Sequence, residues 1–126
     1  MKLALAILAI ATTANAQPRQ LPTVRITKQE VTGSGRDKQV VLRVLGRQRN
    51  RLQYCYEKHL LVDPEVRGTL KVAFEISPAG KPANVGTMGV EGEVAACTKR
   101  VLDYAVFPKP KAGQVVAVKF ELLLKP

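Results

Sequence analysis

The sequence predicts a small α+β domain, an antiparallel sheet with two helices packed on one face, in the order (β)αββαβ. Three observations lead there. Two segments, from Thr69 and from Gln114, alternate apolar and polar residues with the period of a half-buried strand. Two others, from Lys38 and from Glu93, repeat apolar residues at spacings of three and four, as a helix with one buried stripe does. The chain has 126 residues, no Trp, three Tyr and three Phe, so Val, Leu and Ala must fill a single modest core.

The first element is a leader. Lys2 precedes an apolar run from Leu3 to Ala11, and Ala14-Asn15-Ala16 has the small-x-small form of a cleavage site. Residues 1–16 therefore read as a secretory signal peptide cut after Ala16, and the expected localisation is periplasmic or secreted. A membrane anchor is the alternative, but a bilayer span takes about 20 apolar residues. Residues 17–36 form an N-terminal segment in which Thr23 to Lys28 alternates enough for an edge strand. Thr32-Gly33-Ser34-Gly35 is turn chemistry, and Asp37 is placed to cap the helix that follows.

The domain proper spans residues 37–126. Val41, Val44, Leu45, Leu52, Cys55, Tyr56 and Leu60 share one stripe, predicting one helix from Lys38 to Leu61 that Gly46 weakens and Pro64 ends. Leu70, Val72, Phe74 and Ile76 then point to one face of a strand. Ser77-Pro78-Ala79-Gly80 supplies a turn into a weaker return strand from Pro82 to Val90, interrupted by Gly86 and Gly89. A second helix is expected from Glu93 to Val106, stopped by Phe107-Pro108-Lys109-Pro110. In the last strand, Gln114 to Leu124, Val116, Val118, Phe120, Leu122 and Leu124 share a face.

Cys55 and Cys97 fall on the apolar stripes of the two helices, so both are expected to face one core. An even count in an exported chain points to a disulfide. Two buried thiols, or a redox or metal site, are the alternatives. A metal would need more ligands than the single His59 adds, and redox pairs are more usually C-x-x-C.

Several of these strings occur together in one known family. Leu52-Gln53-Tyr54-Cys55-Tyr56-Glu57 is followed by Asp63-Pro64 and Gly68, by the alternating strand ending at Gly80, by Ala96-Cys97, and by Phe107-Pro108-x-Pro110 with Gly113. From Gln39 to Pro126 the chain resembles the AgmX/PglI C-terminal domain, a branch of the TonB C-terminal-like proteins. The resemblance implies a periplasmic module that binds another envelope protein in a transport or motility complex, a partner's extended segment pairing with an exposed sheet edge. It also leaves room for a homodimer formed through such edges. The full-length members carry a membrane-spanning helix and a proline-rich linker, which this sequence does not show, so the expected role is that of an accessory or adaptor.

Two binding surfaces are candidates. For strand pairing, the longest regular strand is the natural choice, which selects Val115, Val116, Ala117, Val118, Lys119, Phe120, Glu121 and Leu122. The other reading of that strand is plain core, with Lys119 and Lys125 guarding an edge. The second surface is basic: Arg43, Arg47 and Arg51 recur at i, i+4 and i+8 in a chain of net charge +10. Like charges at that spacing repel by a few tenths of a kcal/mol, which an anionic envelope polymer or lipid headgroups would offset. A solvated helix face is the ordinary alternative. Nucleic acid suits the charge but not an exported chain, and no aromatic platform accompanies the arginines. No Ser-His-Asp set, phosphate loop, carboxylate pair or metal-ligand cluster is evident, so no enzyme, cofactor or metal is expected.

Overall fold

The computed structural model describes residues 21–33, 38–111 and 114–126. The leader with its Ala16 cleavage site, and the Asp37 cap, lie outside those residues. The elements run β1 (Thr23–Thr32), α1 (Lys38–Arg47), α2 (Arg49–Leu60), β2 (Gly68–Ile76), β3 (Pro82–Met88), α3 (Glu93–Asp103) and β4 (Val116–Lys125). The four strands form one antiparallel sheet in the order β1-β4-β2-β3. An α+β domain with its helices on one face of the sheet is what the periodicities predict.

The core lies between that face and the helices. Leu70, Val72, Phe74 and Ile76 of β2 and Val116, Val118, Phe120, Leu122 and Leu124 of β4 are all buried, the period-two pattern read from the sequence. Val41, Val44, Leu45, Leu52 and Tyr56 cover one half of the sheet, and Val94 and Leu102 the other. Each such side chain contributes roughly 1.5–3 kcal/mol when fully buried. Phe74 sits at the centre, its ring 5.5 Å from Phe107 and 6.4 Å from Phe120.

The single long helix expected from Lys38 to Leu61 is divided. At Gln48 the backbone N–H donates to the carbonyl of Leu45 at 3.0 Å, three residues back, instead of four. That tightened turn separates α1 from α2, while Gln48 keeps right-handed torsions (φ −81°, ψ −9°). The second helix ends at Asp103, earlier than Val106, and β3 ends at Met88, because Gly89 turns left-handed (φ +104°) with Thr69 O against the position a Cβ would take.

The Phe-Pro segment does more than stop a helix. Phe107 N–H donates to Gly80 O at 2.9 Å, lacing the segment to the β2–β3 turn. Gly80 has φ +80°, and a Cβ there would lie 2.3 Å from Phe107 O. Only glycine allows that approach.

Cys55 and Cys97 form a disulfide between α2 and α3 with Cα atoms 5.7 Å apart. The two stripes do face one core, and no free cysteine remains.

Candidate functional site

The sheet face opposite the helices and the two outer strands are where this fold can meet another molecule. The edge expected to do so is not available. β4 pairs with β1 from Thr23↔Lys125 to Thr32↔Ala117 and with β2 from Gly68↔Leu124 to Ile76↔Val116. Val116, Ala117, Val118, Lys119, Phe120, Glu121 and Leu122 thus sit in an interior strand, and Val115 just precedes it. Both rows of backbone donors and acceptors are consumed, so strand addition along β4 is ruled out. A long, regular strand is a good centre for a sheet because it offers two complete ladders.

The true edges are β1 and β3, and they differ. β1 is closed at its start by α2. The side chain of Gln53 accepts from Val24 N–H through Oε1 at 3.0 Å and donates through Nε2 to Pro22 O at 2.6 Å. One side-chain amide thereby bonds the strand as a neighbouring peptide would. Farther along, Lys28 turns left-handed (φ 51°) and the register slips between Thr27 and Glu30. That bulge interrupts the rest of the edge.

Among the described residues β3 is bordered by β2 on one side and by no strand on the other. It carries its own bulge at Asn84 (φ 54°), where the register slips between Ala73 and Glu75, leaving Val85–Met88 as the regular stretch. Pro82 and Gly86 suit an edge strand and would be poor in an interior one.

Beside that stretch the open face is hollowed. A shallow trough of about 490 Å³ runs between Lys28 and Glu30 on one flank and Thr87 and Met88 on the other. Its floor is low because Ala73 and Gly86, which pair across β2 and β3, are small. A second hollow of about 240 Å³ shares Ala73, Gly86 and Lys119 with it and continues to Ala117 and Asn84. The lining charges are three cations, Lys28, Lys71 and Lys119, against Glu30 and Glu121. Glu121 is bonded by Lys28 at 3.4 Å and stands opposite Lys71 in the ladder, so its charge is already matched. Met88 is 70% exposed at the rim and gives the trough an apolar wall.

Arg43, Arg47 and Arg51 are exposed on α1 and α2, on the other side of the sheet from the trough. Tyr54 is 63% exposed while Tyr56 is fully buried, its hydroxyl donating to Val66 O at 2.6 Å. Burial holds the Tyr56 phenol above its usual range, opposed in part by the positive charge of Arg67. Glu93, first in α3, is held below the usual carboxylate range by its hydrogen bond and ion pair with Arg100. Neither group opens into the trough. Among the described residues no cluster of His, Cys, Asp and Glu could hold a metal, and His59 is half-buried near the end of α2.

The trough and the β3 edge were missed at the sequence level, although Pro82 and Gly86 carried the signal. No protein-family model, curated protein or solved structure matches this chain.

Proposed function

We propose that this protein is an exported, non-enzymatic binding module. It takes up an extended segment of a cell-envelope protein along the outer edge of β3, with side chains of that segment entering the open-face trough. One observation carries the reading: a sheet edge with no neighbour among the described residues lies directly beside a hollow that accommodates side chains. Strand addition needs both, since the backbone ladder supplies affinity and pockets for alternate side chains supply selectivity. The likeness to TonB C-terminal-like domains noted above supports the same mode of binding, now at a different strand. The disulfide supports export, because such bonds persist in oxidising compartments. The apolar leader supports it independently.

The test places a photo-cross-linking amino acid at Thr87, on the β3 edge, and separately at Arg43, on the helical side. In intact cells of the source organism, position 87 should label a discrete envelope protein that position 43 does not. A peptide from the labelled region should then slow hydrogen exchange of the Val85–Met88 amides. Labelling that is equal at both positions, or protection confined to the helices, would refute strand addition at β3.

A further inference from the structure

The outer face of the paired helices α1 and α2 has a composition the β3 reading does not use. From Lys38 to Tyr56 the chain carries five cations, Lys38, Arg43, Arg47, Arg49 and Arg51, and no acidic residue. All five are exposed, and none makes an ion pair among the described residues. Gln48 keeps helical torsions, so the row continues from α1 into α2. At 100° per residue, Arg43, Arg47, Arg51, Tyr54 and Lys58 fall within about 80° of one another, on a face about 22 Å long.

That row does not end in charge alone. Tyr54 is 63% exposed within it, and Leu61 and Val62, just past its end, are 86% and 83% exposed. An amphipathic ring and two aliphatic side chains at the end of a line of arginines have little reason to face bulk water. They match the depth profile of a lipid interface, where cations meet phosphates, tyrosine sits at headgroup level and aliphatic groups reach the acyl boundary. A soluble polyanion would engage the arginines and leave the Leu61 and Val62 side chains unused. The acidic groups nearest this face are Glu57, bonded to Gln53 at 3.0 Å, Asp63, Glu65, paired with Arg67 at 3.3 Å, and Glu93, which feels Lys58 at the end of the row but is itself paired with Arg100. They are outnumbered by the cations.

We infer that the outer face of α1 and α2 docks on the surface of a bilayer containing anionic phospholipid, with Leu61 and Val62 dipping into the interface. The helices and the open sheet face lie on opposite sides of the sheet, so a docked molecule keeps the open-face trough directed away from the lipid.

The chain has no Trp, so Tyr54→Trp introduces a sole tryptophan within this face, excited selectively apart from the remaining tyrosines. The full chain carrying Tyr54→Trp is expressed, and the folded product is purified with its N-terminus read by mass spectrometry. Vesicles containing anionic phospholipid should shift its emission to the blue and co-sediment it, and wholly zwitterionic vesicles should do neither. Raising salt from about 0.1 M to about 1 M should release it, as the screening length falls from roughly 10 Å to 3 Å. Arg43→Gln, Arg47→Gln and Arg51→Gln combined in that background should weaken vesicle binding on the order of 100-fold, at about fivefold per cation near such a surface. All three side chains are exposed, and an unchanged melting temperature verifies that the fold is kept. Because parent and variant share one N-terminus, any contribution of the leader cancels. Lys119→Gln, in the trough, should bind vesicles as the parent does. Equal binding to zwitterionic vesicles, or full binding by the triple variant, overturns the inference. So does capture by soluble dextran sulfate with no binding to any vesicle.

Discussion

Reducing the bond between Cys55 and Cys97 tests how far this small core depends on a covalent tie. The two residues are separated by 42 positions and join α2 to α3 over the sheet. In the chain-entropy account, opening a loop of that length returns about 13 cal/mol/K to the unfolded ensemble, or about 4 kcal/mol at 25 °C. Domains of this size are typically stable by only ~5–15 kcal/mol, so the loss is a large fraction of the whole. With an unfolding entropy of about 2.1 cal/mol/K per residue, it corresponds to a fall in Tm on the order of 15–20 °C. The assay is a circular dichroism melt with and without a phosphine reductant, with thiol counting to show complete reduction. Cys55→Ala combined with Cys97→Ala should melt at or slightly below the reduced protein, since Cys55 is buried and alanine leaves space beside it. Reduction that lowers Tm by less than about 5 °C would show that the unfolded chain is barely constrained by this loop, against the entropic argument.

Two further outcomes concern polar groups in the core. The Thr98 hydroxyl is buried without a hydrogen-bond partner among the described residues, so Thr98→Val should stabilise the domain by about 1 kcal/mol, measured by urea unfolding. Tyr56→Phe should cost about 1 kcal/mol at neutral pH by removing the bond to Val66 O. Because burial raises the folded-state pKa of Tyr56, its contribution is intact below pH 10.0, the ordinary tyrosine value, and is lost as pH rises from there through the higher folded value. Alkaline unfolding of the parent should therefore steepen above pH 10.0, and the Tyr56→Phe protein should show a shallower decline.

The elements were legible in the sequence where one strong local rule governed them. β2 and β4 follow period two without exception, and every residue expected on their inner faces is buried. Cys55 and Cys97 were legible as a pair because helical stripes fix which way each residue points. β1 was underestimated, extending to Thr32 instead of Lys28, because a left-handed lysine inside a strand breaks alternation without ending the ladder. The division at Gln48 was marked only by Gly46 nearby, which weakens a helix without ending it, since glutamine itself is an ordinary helix former. Strand order was the least accessible feature. Whether β4 lies inside or at an edge depends on β1, more than 80 residues away in the chain, and on no property of β4 itself. The candidate site inherited that error, because it had been placed on the strand with the best pattern. A sheet gives its best pattern to its centre, and the weaker Pro82–Met88 segment is where a neighbour can still attach.

The Gln53 amide, by bonding Val24 and Pro22, has a consequence for assembly. A sheet with two receptive borders has a valence of two and can polymerise end to end, each copy templating the next. Here one border is closed at its start by a side chain of the same molecule and broken farther along by the Lys28 bulge, leaving a valence of one. Whatever joins at the other border, whether a foreign strand or a second copy, terminates growth. The protein can therefore present an adhesive strand at high local concentration without seeding a fibre.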